Sequence, residues 1–328
     1  MTGFRSTGDV FLLTICLFAA AASNQALAQD PLRVVTEGNT VSIREGEKVL
    51  ACYRYGSVPF KPYVQELFTP GGVNVLRDAP ADHLHHHGLM FAVAVDGVNF
   101  WEEQQQPGRQ MHRKFGDAKL GRRDNAPAAA FTEQIEWINP RSKELLLRET
   151  RTIEVCRPAE PAVTLLAWES KFEVPTGKES VTLSGSPYFG LGMRFLQSMD
   201  TGGQFCNAEG RMGVQETNDK QSAWCAYTAM ADGKQVTVAM FGHPENERHP
   251  VTWFTMDNPF AYLSATPNLH KETLKVSAGK PLVLRYGVAL WDGQVKPEQI
   301  EALYKRWTAW PASGISAAAR ATRDERRV

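Results

Sequence analysis

Beyond residue 28 the sequence holds only four cysteines, Cys52, Cys156, Cys206 and Cys225, in a chain of 328 residues. That is too few for a disulfide scaffold, and without a C-x-x-C pair there is no thiol-based zinc or redox motif. A Cys206–Cys225 pair and four buried free thiols both fit the sequence, since four cysteines allow three connectivities. Net charge is missing as well: 36 Lys and Arg balance 36 Asp and Glu. This balance argues against a nucleic-acid partner and against steering of ligands by bulk electrostatics. No P-loop, Gly-rich dinucleotide turn or nucleophile elbow occurs, and Ser184-Gly185-Ser186 lacks the strand–turn–helix setting of the last. Regular strand–helix alternation is absent, which excludes a Rossmann-type or TIM-barrel plan. Past residue 28 no apolar run approaches the roughly 20 residues of a membrane span.

What is present begins with an export signal. Arg5 precedes the apolar run Val10 to Ala22, and Ala26-Leu27-Ala28 supplies a small-x-small cleavage pattern before Gln29. Residues 1–28 are expected to be removed, leaving a periplasmic or secreted chain with no transmembrane span. Cys16 follows Ile15 rather than a small residue and the apolar run continues beyond it, which disfavours a lipoprotein or a retained N-terminal anchor.

From there to residue 291 strand patterns dominate. Leu32 to Ile43 and Lys48 to Tyr55 read as a meander turned at Glu37-Gly38-Asn39 and Glu45-Gly46-Glu47. Gly88 to Val95 is apolar on both parities, as in a strand covered on both faces, and Asp96-Gly97 then sets a tight hairpin. In Val163 to Val174 the residues Leu166, Trp168, Phe172 and Val174 share one parity, broken only by Ser170. Pro297 opens a helix whose Ile300, Leu303, Tyr304 and Trp307 fall on one face. The expected fold is all-β, one large antiparallel β-sandwich over residues 29–311 with one C-terminal helix, followed by a disordered tail over 312–328.

Chemistry concentrates in Asp82-His83-Leu84-His85-His86-His87-Gly88, where half of the eight histidines occupy five positions between a polar, Pro-bearing loop and the doubly apolar strand. Imidazole is suited both to proton transfer near neutral pH and to metal ligation. On an extended backbone His83, His85 and His87 point one way and His86 the other, whereas a turn lets three of the histidines converge; His83, His85 and His87 are the candidate ligands of a divalent metal ion. The spacing is not that of the helical H-E-x-x-H site, so a carboxylate or a distant histidine would have to complete the shell, with Asp78, Asp82, Glu102, Glu103 and His112 as candidates. Hydrogen-bonded histidines that merely pin a loop are the structural alternative. Most of the eight tryptophans belong in a core, whereas Trp101, beside Glu102 and Glu103, is a candidate wall of a site.

These residues carry a resemblance. The run Tyr63 to Asp78, then Asp82-His83-Leu84-His85-His86-His87-Gly88, then Asp96 to Glu102, resembles a bacterial family labelled "methane oxygenase PmoA-like". Gly108-Arg109-Gln110-Met111-His112, Gly190-Leu-Gly-Met-Arg194 and Leu284-Arg285-Tyr286-Gly287 extend the likeness over most of residues 50–293, and His87 stands where the pattern carries Arg. A methane oxygenase subunit would cross a membrane several times, so methane oxidation is not carried over. The family in turn resembles galactose-mutarotase-like supersandwiches, which implies a groove for a carbohydrate or another small molecule. In that setting His83 and His86 are the expected general acid and base, with Glu102 or Asp82 as partner. Arg77, Trp101, His112, Arg194 and His87 are the expected substrate contacts. The reaction classes are those of an epimerase, lyase or hydrolase, and the competing readings are a metalloprotein and a non-catalytic carbohydrate-binding module.

Overall fold

The computed structural model describes residue 3, residues 31–57, 60–310 and 314–317. The expected export signal and most of the expected tail lie outside the described residues. The observed fold is all-β, built of large antiparallel sheets. The first sheet begins with the expected meander, Leu32–Glu37, Thr40–Glu45 and Lys48–Arg54, and continues through Tyr63–Leu67, Leu89–Ala92, Gly190–Arg194, Tyr262–Thr266 and Val251–Met256 to Lys220–Ser222. The second runs from Gln204–Asn207 through Trp224–Ala231, Lys234–Gly242, Leu282–Asp292, Thr164–Glu173, Leu145–Cys156 and Ala126–Ile138 to Lys119–Arg123 and Ser316–Ala317. Gly38 and Gly46 turn the meander with positive φ, as does Asp96-Gly97 for its hairpin.

Alternation decides which side chains fill the space between the sheets. In Thr164–Glu173 the residues Leu166, Trp168, Ser170 and Phe172 are all buried on one face. Ser170, the exception in that apolar row, is a hydrogen-bonding residue: its hydroxyl donates to Glu149 at 2.6 Å and accepts from the Trp168 indole at 2.9 Å. The opposite face of the second sheet packs Trp224, Phe241 and Trp291 against Ile300, Leu303, Tyr304 and Trp307 of the helix Pro297–Thr308. Each such side chain contributes roughly 1.5–3 kcal/mol by leaving water. All four cysteines past residue 28 are free thiols.

Two readings of the sequence need correction. Gly88 to Val95 is not one strand: it breaks at Val93 into Leu89–Ala92 of the first sheet and Ala94–Val95 of a small third sheet. The break carries the chain from the first sheet to the third. The longest strand, Ala126–Ile138, has no counterpart in the sequence reading because Ala126, Pro127, Ala128, Ala129 and Ala130 have poor strand propensity. Tertiary context overrides that propensity, since this strand is paired on both sides, with Leu145–Cys156 on one and with Lys119–Arg123 and Arg109–Phe115 on the other.

Between the sheets lies a polar network centred on Arg151, which is fully buried. A guanidinium has five N–H donors, and all five are used here. Arg151 Nε and Nη2 grip the Glu149 carboxylate at 2.8 and 2.9 Å, Nη1 donates to the Tyr53 hydroxyl and the Pro62 carbonyl, and Nη2 also reaches Gln110. Tyr53 in turn donates to Glu133, and the His112 ring pairs with the same carboxylate at 2.6 Å.

Candidate functional site: an aromatic pocket under the histidine loop

The loop 78–88 folds as two successive tight turns, His83 N to Pro80 O and His86 N to His83 O, both at 2.9 Å. Its base is closed by Ala79 N to His86 O and by the bridge between Asp78 and His87. The turns, rather than an extended backbone, gather His83, His85 and His86 on one side. Their rings stand 4.5–5.6 Å apart, with His83 and His86 stacked. Gly88 then leads into the strand at φ +45°, where a Cβ atom would sit 2.3 Å from the Val64 carbonyl. Only glycine fits at that close approach.

Register explains what lies beneath. Met256 stands opposite Tyr262, and Tyr262 opposite Arg194, so the three side chains share a face of the first sheet. Gly192, two residues before Arg194, belongs to the same face, and a Cβ there would lie 2.1 Å from the Tyr262 hydroxyl and 2.8 Å from the Trp101 ring. The missing side chain is what admits both rings. Together with the histidine loop they enclose a cavity of about 310 Å³ lined by His83, His85, His86, Trp101, Glu102, Tyr188, Phe254, Met256, Pro259, Phe260 and Tyr262. This lies at the small end of the ligand-pocket range, roughly 300–1,000 Å³.

The walls are aromatic and the mouth carries ionisable pairs. His85 Nε2 lies 3.5 Å from Glu102, and His83 Nδ1 lies 3.1 Å from Asp82, which also accepts from Arg194 at 3.2 Å. Burial lowers the His85 pKa, with Glu102 opposing the shift. Burial, reinforced by His85, His83 and Arg194, drives His86 down to about 2, so His86 is neutral throughout the physiological range. Burial also raises the Tyr262 hydroxyl far above its usual value. Buried polar atoms are ordinarily hydrogen-bonded. Here His86 Nδ1, Trp101 Nε1, the Tyr262 hydroxyl, and Arg194 Nε and Nη1 are buried without partners among the described residues. The first three belong to side chains that line the cavity, and Arg194 lies 3.5 Å behind the Phe260 ring.

His87 takes the opposite side of the loop. Its Nδ1 pairs with Asp78 at 2.8 Å and its Nε2 with Glu103 at 2.9 Å, while Tyr63 stacks on the ring. Burial opposes its protonation, but the two carboxylates prevail and its pKa is raised. Lys61 completes the chain by donating to Glu103 and to the Trp101 carbonyl, and Asn99 accepts from the Trp101 and Glu102 amides. These bonds hold Trp101 and Glu102 at the pocket.

Of the residues expected from sequence, His83, His85, His86, Trp101 and Glu102 therefore line one cavity, with Asp82 and Arg194 adjoining it. The structure does not bring His87, His112 or Arg77 to it. His112 belongs to the Glu133 network, and Arg77 faces Asp200 at 3.9 Å. The trio His83, His85 and His87 does not converge: the turns leave His87 on the other side of the loop, where carboxylates engage both its ring nitrogens. No three His, Cys, Asp or Glu side chains among the described residues are arranged to hold a metal ion. Tyr188, Phe254, Phe260 and Tyr262 were not foreseen as site residues. Asn258-Pro259 signals a turn, but nothing in the sequence links that turn to a loop 170 residues earlier.

Fold and site thus define an antiparallel β-sandwich protein with an aromatic pocket capped by histidines. More particularly, the chain belongs to the family described as a family of unknown function (DUF6807), whose model matches residues 40–305. That description includes no methane oxygenase label. No curated protein matches the chain. Among solved structures it is similar to the α-galactosidase from Lactobacillus brevis, at 7% identity and a TM-score of 0.46 over 84% of this chain and 42% of that one. It is also similar to the galactosidase domain of the α-galactosidase-sucrose kinase AgaSK, at 6% identity and a TM-score of 0.44, covering 80% and 42%. A third is a putative mutarotase (YeaD) from Salmonella typhimurium, at 11% identity and a TM-score of 0.31, covering 80% and 90%. The chain spans about 42% of the length of the two galactosidase chains. Likeness at this level carries no argument about activity. No helix among the described residues is long and apolar enough to cross a membrane.

Proposed function

We propose that this is an exported carbohydrate-active enzyme that binds a sugar ring in the pocket under the histidine loop and moves a proton on it. The observation that carries the reading is the composition of that cavity: aromatic walls together with buried, unpartnered polar atoms of His86, Trp101 and Tyr262. A sugar has both matching surfaces, C–H faces that pack on rings and hydroxyls that fill unmet hydrogen-bonding capacity. A purely apolar ligand would leave those atoms unpaired.

His85 and Glu102 are the proton-transfer pair in this reading, displacing His86 from the role expected of it. Burial keeps His85 neutral near pH 7, so it can accept a proton from a substrate hydroxyl or carbon. Glu102, 3.5 Å away, then stabilises the imidazolium that forms. His86, too depressed to hold a proton, serves as a neutral hydrogen-bonding group. This arrangement suits mutarotation, epimerisation, or elimination beside a carbonyl. Proton NMR of the purified protein with a panel of mono- and oligosaccharides tests it: line broadening and conversion of one panel member are expected. Binding without conversion would leave a carbohydrate-binding module, and the absence of binding would overturn the carbohydrate reading.

A further inference from the structure

Glu102 lines a second depression as well. This cavity, of about 410 Å³, is also bounded by Asn99, Gln104, Gln105, Gln106, Asn139 and Arg141. No aromatic ring among the described residues lines it; Val98 and Pro107 are its larger apolar members. We infer that this groove is a second sugar subsite, so that the ligand is a neutral oligosaccharide with one unit in the aromatic pocket and the next along the amide groove. The inference rests on the carbohydrate reading of the pocket and specifies its substrate class.

Four observations support it. Glu102 lines both cavities, so the two adjoin at that carboxylate. The lining is a run of carboxamides, each with donors and an acceptor at fixed separation, which suits neighbouring hydroxyls. Its charges, Glu102 and Arg141, are of opposite sign, and Arg141 Nε is tied to Gln106 at 2.7 Å, so the groove offers little to a phosphate or a uronate. The loop is also built into a fixed shape. Gln105 and Gln106 lie at φ +58° and +63°, a region that side-chain-bearing residues seldom occupy and that recurs at binding sites. Gly108 N to Asn99 O at 2.7 Å closes the loop base. The carboxamide oxygens of Asn99 and Asn139 accept from backbone amides, which orients both side chains and leaves their nitrogens as donors.

Calorimetric titration of the full protein tests this with glucose, galactose, mannose and xylose and the linear di- to pentasaccharides of each. For the sugar that binds, affinity should rise about tenfold or more from monomer to trimer and then level off. Gln106→Ala combined with Arg141→Ala should cut that gain to less than about threefold. Gln104→Ala, which leaves the tie between the two loops intact, should remove part of the gain, whereas Tyr188→Ala should weaken monomer and oligomer alike. A monosaccharide that binds as tightly as the pentasaccharide, or a gain that survives both groove variants, overturns the second subsite and leaves the pocket reading standing. If no saccharide of any length binds, the pocket reading falls and the subsite with it.

Discussion

Arg151 and Arg194 are both buried, at 0% and 1% exposure, yet one has every donor filled and the other has two nitrogens unpaired among the described residues. Arg151 sits between the sheets, where Glu149, Tyr53, Gln110 and a backbone carbonyl close a complete set of bonds around it. Arg194 sits behind the pocket with a single side-chain hydrogen-bond partner among the described residues, Asp82, that is itself half exposed. A closed buried network rigidifies a fold, while one with unmet capacity costs stability unless something else completes it. At the pocket that unmet capacity gathers in adjoining side chains, Arg194 with Tyr262, Trp101 and His86, whereas around Arg151 the bonds are closed.

The largest expected effect comes from opening the closed network. Arg151→Ala leaves the Glu149 carboxylate buried without its bidentate partner and should lower the unfolding free energy by about 3–5 kcal/mol. Urea denaturation followed by tryptophan fluorescence measures it. A loss below about 1 kcal/mol would show that the core network is dispensable and would dissolve the contrast. Glu102→Gln should do the reverse. Its side chain is about a third exposed, so stability should hardly move, while turnover of the substrate should fall about a hundredfold through loss of the His85 partner. Because His85 is depressed below its ordinary 6.5, the base form persists at mildly acid pH. Wild-type activity should therefore hold as pH drops through 6.5 and decline only lower, in the pH dependence of kcat/KM.

The contrast recurs between adjacent residues. His86 is buried, neutral and unpartnered at Nδ1, whereas His87 holds two carboxylates and is favoured as a cation. His87→Asn should cost about 1–3 kcal/mol, and the cost should depend on pH. Since the folded pKa of His87 is raised above 6.5, the wild-type advantage is fully present below 6.5 and shrinks as pH rises through the raised value. Asp78 and Glu103 are depressed against the opposing effect of burial, chiefly by their hydrogen bonds to His87, so their share is present above their ordinary values and is lost as pH falls through the lowered ones. Urea midpoints of the two proteins should therefore differ most between those limits. A difference independent of pH would mean that His87 acts by packing alone.

Much of this was legible in the sequence. The meander, the Asp96-Gly97 hairpin, the helix of Ile300 to Trp307 and the weight placed on residues 82–88 and 101–102 all rest on local patterns, which a single chain displays. The Ala126–Ile138 strand was hidden because its alanines contradict its conformation, and only pairing on both sides accounts for it. The division of labour among the histidines was hidden for a different reason. Period-two alternation groups His83, His85 and His87 and a turn lets some three converge, but only the observed successive turns show that the three are His83, His85 and His86, because side-chain alternation does not encode turn geometry. Ser170 is the reverse case: its break in an apolar parity was visible, and only the Glu149 carboxylate gives it meaning.

The finest test of the comparison uses one change at two tyrosines, each within 2% of complete burial. Tyr53→Phe removes a hydroxyl that donates to Glu133 and accepts from Arg151, so both partners lose a bond in a dry interior, and about 1–3 kcal/mol should go with them. Tyr262→Phe removes a hydroxyl with no partner among the described residues, so unfolding free energy should stay within about 0.5 kcal/mol of wild type or rise slightly. Saccharide affinity should instead fall, by a few-fold to about tenfold, as expected for one hydrogen bond to a ligand hydroxyl. Paired denaturation and titration of the two variants separate the roles. Were Tyr262→Phe to destabilise the protein as much as Tyr53→Phe, the hydroxyl would have an internal partner such as a bound water, and the pocket would be one more closed network rather than a place awaiting a ligand.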